Sequence, residues 1–214
     1  MWPTDMTAAL MQFAVVAGLM TLVPGLDFTM ILRTALTQSK RVAFAAGAGI
    51  CLGLFVWALA AAAGLSAVLA ASETAFTVLR LAGAAYMIYL GAMFIWHSRH
   101  PHAATQADAP SAESAMTTFW RGVLTNILNP KIGVFYVAML PPFIPADTNV
   151  VLAGLALGAV HVVESMLYFS AIILAANFFK AQFSRPRFRA GLDRVAGVLI
   201  IGFGVRLLTA SSSS

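Results

Sequence analysis

Residues 42–72 contain no Asp, Glu, Lys or Arg, and no other feature of this chain restricts its fold as strongly. About 20 consecutive apolar residues are enough to cross a bilayer as a helix, so this stretch is expected to be a membrane span. The rest of the sequence has the same character. Hydrophobic residues make up 60% of the 214 and charged residues 10%, against roughly 25% charged in soluble domains. The chain is therefore expected to be an integral membrane protein. Its net charge of +5 does not point to nucleic acid, because the basic residues stand at the ends of apolar blocks, where membrane orientation places them. The start of the chain reads as a first span and not as a removable leader.

Six spans are expected, at about residues 6–31, 42–70, 74–96, 118–143, 150–179 and 192–208. Residues 98–117 are polar and contain Pro101 and Pro110, so they read as a flexible linker between a first half, 1–97, and a second, 118–210. With both termini outside, Arg33, Lys40, Arg41, Arg99, Lys180, Arg185, Arg187 and Arg189 all face the cytoplasm, while Glu73 and Asp147 fall in outer connections.

Two spans are interrupted. Val23-Pro24-Gly25-Leu26-Asp27 breaks the first, and Asn129-Pro130-Lys131 breaks the fourth. Proline removes an amide donor and glycine loosens the backbone; irregular backbone at membrane depth survives only inside protein or beside water. Each break is thus a candidate binding site. Pro24 and Pro130 are 106 residues apart (130 − 24), and Gly49/Gly53 match Gly154/Gly158 at 105 (158 − 53). Arg80-Leu81-Ala82-Gly83 resembles Arg194-Val195-Ala196-Gly197 at 114 (197 − 83). Three spans per half is an odd number, so the second half enters the membrane inverted. The expected architecture is all-α, a six-span 3+3 inverted repeat with the first and fourth helices interrupted, as in many secondary transporters.

Three segments together resemble the LysE/RhtB family of amino-acid exporters over nearly the whole chain. Val23-Pro24-Gly25-Leu26-Asp27 is similar to the family's Pro-Gly-Pro-Asp/Asn signature. Leu81-Ala82-Gly83-Ala84-Ala85-Tyr86-Met87-Ile88-Tyr89-Leu90-Gly91 is similar to its third-helix pattern, and Gly122-Val123-Leu124-Thr125-Asn126-Ile127-Leu128-Asn129-Pro130-Lys131 completes the resemblance. The resemblance implies an inner-membrane exporter of amino acids or related small metabolites, driven by the proton gradient and dimeric in the lipid bilayer. Two departures stand out: Leu26 replaces the second proline of the signature, and His161 and Glu164 lie in a fifth span that is mostly apolar in the family.

A zwitterionic substrate needs acceptors for its ammonium and donors for its carboxylate. Amides freed beyond Pro24-Gly25 and Pro130 behave as helix N-termini and suit a carboxylate, with Lys131 adding charge. Asp27 suits the ammonium, and Asn126 and Asn129 suit either end. His161, Glu164 and Tyr168 share one helix face, so Asp27, His161 and Glu164 are the candidates for proton coupling. Arg80 and Arg194 read as interfacial anchors. A divalent-metal exporter using His161, Glu164 and Asp27 is the alternative; His97, His100 and His102 fit no closed metal site. No cofactor and no resident metal are expected. Nor is an enzyme: a thiol relay needs two cysteines where only Cys51 is present, and Ser165 beside His161 is the one pairing suggestive of a nucleophile.

Overall fold

The structure, a computed structural model, describes residues 5–71, 73–99, 113–146, 148–183 and 185–209. Most of the expected linker, with His100, His102 and Asp147, and the surroundings of Glu73, Arg80, Gly83, His97 and Arg189 lie outside that description. The described residues are all-helical: α1 (Met6–Leu22), α2 (Leu26–Thr37), α3 (Lys40–Ala71), α4 (Glu73–Arg99), α5 (Ala115–Ile127), α6 (Pro130–Met139), α7 (Val150–Leu174), α8 (Ala176–Phe183) and α9 (Pro186–Thr209), with a 3-10 turn at Pro141–Phe143. Lys40–Leu65 within α3 and all of α7 are long and apolar enough to cross a membrane, as is the α1–α2 pair taken as one bent span.

Both interruptions occur at the expected residues, and local chemistry explains each. Asp5 caps α1 by accepting from the Ala8 amide. The helix ends at Val23 because the residue before a proline is driven out of the helical region; Val23 is extended at φ −70°, ψ 118°. Gly25 is also extended, and α2 leaves the break bent by 57° from α1. In the second half, Asn129 caps α6 with its side chain on the Lys131 amide, and Pro130 occupies the first helical position, where its missing N–H costs nothing. Three boundaries differ most from expectation. The helix α2 runs on to Thr37, beyond the expected end of the first span near residue 31. The fifth span stops at Leu174, and after a kink at Ala175 the aromatic-rich α8 runs separately. The last helix begins at Pro186, before its apolar stretch.

Small residues set the helix packing. A Cβ on Gly49 would stand 2.0 Å from the Phe119 carbonyl oxygen, and one on Gly122 would stand 2.5 Å from the Ala46 oxygen, so α3 and α5 touch backbone to backbone. Gly154 and Gly158 on α7 receive the methyl groups of Ala62 and Ala58. Partners that fall along α3 as positions rise along α7 make that pair antiparallel. The α4–α9 pair is antiparallel too and is closed reciprocally: a Cβ on Gly91 would meet the Gly197 oxygen at 2.6 Å, and a Cβ on Gly197 the Gly91 oxygen at 2.6 Å. Arg194 donates to the Ser98 hydroxyl farther along the same seam.

Two apolar clusters fill the interior. Phe13, Met20, Phe135, Tyr136, Phe143 and Leu157 form one, between α1, α6 and α7. Phe28, Ile31, Ile50, Phe169 and Ile172 form the other, extended by Phe183 of α8, whose ring lies 4.3 Å from that of Phe28. Cys51 belongs to this second cluster, its Sγ 3.9 Å from the Val162 carbonyl.

Candidate functional site

The two helix breaks meet. Lys131, at the start of α6, reaches across to the first half and donates from Nζ to the carbonyls of Val23 (2.8 Å) and Met20 (3.0 Å). These carbonyls belong to the last turn of α1, where a helix leaves its acceptors without internal partners, so the ammonium caps the dipole's negative end. In the other direction Asp27, in the first turn of α2, receives Asn126 Nδ2 at 2.8 Å on Oδ2. Asn126 is completely buried, a position that exists because Gly53 opposite it has no side chain.

Polar capacity is left over. Asp27 Oδ1 and Asn126 Oδ1 are buried without a hydrogen bond, which is unusual for interior oxygens. Nothing caps α2 either, since Gly25 brings no side chain to its first amides. The Lys131 Nζ lies 3.6 Å from where a Gly25 Cβ would stand. A small cavity of about 30 Å³ joins these groups; its wall includes Gly25, Asp27, Asn129, Lys131, His161 and Ser165. That volume holds water and little more.

Of the expected site residues, Gly25, Asp27, Asn129, Lys131 and His161 line this one cavity, and Asn126 joins through its bond to Asp27. Pro24 and Pro130 shape the breaks. Two expectations change. The amides at the second break are already used, Lys131 N by the Asn129 side chain and those of Ile132 and Gly133 by the Asn129 carbonyl, so only the α2 terminus stays open. And His161 and Glu164 part company. His161 is buried on the cavity wall, with Nδ1 3.1 Å from the Tyr136 hydroxyl. Glu164 turns into the seam between α7 and α1, where Oε1 lies 3.5 Å from the site of a Gly18 Cβ. Tyr168 takes a third course and stacks on Phe28. Residues three apart on a helix differ by about 60°, enough here to place one in the cavity and the other beyond it.

The sequence reading missed Tyr136, a fully buried phenol. Its signal is the polar atom it carries within the otherwise apolar run following Lys131. Among the described residues no three His, Cys, Asp or Glu side chains gather in a way that would hold a metal ion, so the metal-exporter alternative is not favoured.

Residues 19–211 match the model of the family described as LysE type translocator. The chain is 29% identical over 189 residues to a threonine efflux protein of Escherichia coli (strain K12), covering 86% of this chain and 90% of that one. It is 28% identical over 197 residues to a leucine efflux protein of Enterobacter sp. (strain 638), covering 91% and 92%. A membrane protein of Bacillus subtilis (strain 168) is 28% identical over 205 residues, covering 92% and 97%. No solved structure matches the chain.

Proposed function

The chain belongs to the LysE type translocator family, a multi-pass membrane transporter and not an enzyme, and on that premise we propose that it exports amino acids across the cytoplasmic membrane by proton antiport. The carrying observation is the shared cavity. Two interrupted helices bring a carboxylate, an ammonium and an uncapped helix N-terminus to one enclosed point, the arrangement that broken-helix transporters use for charged solutes.

A zwitterion suits these groups end for end. The free oxygens of Asp27 and Asn126 accept from the substrate ammonium. The open amides of α2 and the Lys131 ammonium beside Gly25 take the carboxylate. Proton and substrate ammonium then compete for the same Asp27 oxygen. Loading one from either side displaces the other, which is the minimal requirement of antiport, and Glu164 lies outside this exchange. Relatives named for threonine and leucine efflux support a neutral amino acid as cargo.

The six-span inverted repeat belongs to the same reading. Antiparallel packing of α3 with α7 and of α4 with α9 supports it, as does the reciprocal Gly91–Gly197 contact. A contact between equivalent residues would give the third helices an offset of 106 (197 − 91), equal to the spacing of Pro24 and Pro130 and different from the offset of 114 between Arg80-Leu81-Ala82-Gly83 and Arg194-Val195-Ala196-Gly197. The glycine pairs at 105 meet unlike neighbours, α5 in one case and α3 in the other, and lend no support. Since α2 contacts α8 and α8 contacts α9, the elements and turns carrying Arg33, Lys40, Lys180 and Arg185 are neighbours, which is consistent with one basic end. This basic end suits the cytoplasm, with the termini outside. A homodimer surrounded by lipid completes the reading.

Reconstitution tests it. Proteoliposomes loaded with a labelled amino acid and given a pH gradient are expected to exchange it for protons, and Asp27→Asn is expected to insert normally and exchange nothing. Failure of the wild-type protein to move any amino acid, or full exchange by Asp27→Asn, refutes the assignment.

A further inference from the structure

Several helical serines and threonines turn their hydroxyls back onto the preceding turn: Thr21 to the Ala17 carbonyl, Thr34 to Met30, Ser170 to Met166. Ser165, more buried than any of these, does not. It is 2% exposed, lines the cavity, and makes no hydrogen bond among the described residues, although back-bonding would satisfy it at little cost. One turn earlier on α7, His161 is 1% exposed and lines the same wall. Its Nδ1 is engaged by Tyr136. Tyr136 is buried in an apolar cluster and its hydroxyl makes no other hydrogen bond among the described residues, so the arrangement that leaves no phenol proton unpaired has it donating to Nδ1. An accepting Nδ1 fixes the neutral imidazole as the tautomer with its proton on Nε2. The cavity therefore meets a ring donor at His161 and a hydroxyl at Ser165 able both to give and to accept.

We infer that His161 and Ser165 read the side chain of the transported amino acid and select one bearing a hydroxyl near its β-carbon over the methyl isostere, with Tyr136 as the residue that positions His161. The inference rests on the amino-acid exporter reading. A hydroxyl is the small group that accepts from Nε2–H and exchanges a hydrogen bond with Ser165 at once; a methyl in its place strands both polar groups in a closed site. Sites built to bond a hydroxyl reject the analogue lacking it far more strongly than apolar pockets distinguish methyl groups.

Threonine and valine are isosteres that differ by this one substitution, so their ratio is the readout. In proteoliposomes with an imposed pH gradient, the wild-type chain is expected to exchange threonine at least about 10-fold faster than valine. Ser165→Ala is expected to bring the ratio toward one by slowing threonine while valine holds or rises. Tyr136→Phe, which frees the imidazole to change tautomer, is expected to lower the ratio partway, and Ser165→Cys, close to serine in size with a weak donor, serves where the alanine variant fails to insert. A threonine-to-valine ratio near one in the wild-type chain, or one untouched by the Ser165 substitutions, overturns the inference while leaving the exporter reading in place. Exchange of no amino acid by the wild-type chain overturns both.

Discussion

Substituting Gly53 by alanine tests the link between helix packing and the site. A Cβ there would lie 2.7 Å from Asn126 Oδ1 and 2.8 Å from Asn126 Cβ, where an ordinary contact begins near 3.4 Å, so α5 must retreat by roughly 0.6 Å or the asparagine must turn away. The bond from Asn126 Nδ2 to Asp27 is 2.8 Å long; a shift of that size stretches it toward the limit of a hydrogen bond. Overpacking of this kind costs about 1–3 kcal/mol, partly offset by up to about 1 kcal/mol from alanine's better helix propensity. Gly64 on the same helix is the internal control, because nothing lies within 4 Å of its would-be Cβ, and Gly64→Ala gains the propensity alone. The midpoint of reversible unfolding in mixed detergent micelles is expected to fall for Gly53→Ala and to hold or rise for Gly64→Ala. Amino-acid exchange is expected to fall only in the former. Equal midpoints and equal exchange for the two variants would refute the claim that α3 positions Asn126 by direct contact.

The reciprocal contact of Gly91 and Gly197 predicts that Gly91→Ala and Gly197→Ala each destabilise by about 1–3 kcal/mol, and that the double variant costs less than the two together, because one separation of α4 from α9 relieves both clashes. Unfolding midpoints of the three variants decide it, with simple additivity counting against a shared contact. Asn129→Ala removes the α6 cap and is expected to cost about 1 kcal/mol; it also frees the Lys131 amide into the cavity, so exchange is expected to change more than unfolding does.

The sequence displayed both breaks to the residue, because proline and glycine act on their own backbone and need no partner to be understood. Some span boundaries set by caps were legible to the same degree, as at Asp5 and Asn129, whereas Ser114 and Pro186 start their helices earlier than expected. What it concealed were choices made between helices. Lys131 and Asp27 have opposite charges and suggest a pair, but Lys131 grips the terminal carbonyls of α1, acceptors that every helix has and no side chain advertises. The His161–Glu164 spacing places the two on one side of α7; which of them meets the cavity depends on where α1 lies, and Gly18 receives Glu164 there. Tyr136 looked like one more aromatic in an apolar run until a histidine from a helix 25 residues away in sequence arrived at its hydroxyl. Composition alone gave no reason to separate α8 from α7, since the kink at Ala175 involves neither proline nor glycine.

On the inverted-repeat reading proposed above, the unequal finish of the two breaks, one sealed by Asn129 and the other left open at Gly25, bears on how two related halves could work in one direction. Two identical half-sites related by a twofold axis would accept a head-to-tail molecule in either sense with the same free energy, and half of all binding events would present the cargo backwards. Sealing one half lifts that degeneracy. Under the proposed exporter mechanism, the substrate's polarity is then tied to the polarity of the membrane, and the side chain is expected at the same wall of α7. On this view, Asn129 contributes less as a ligand than as the residue that makes the two halves different.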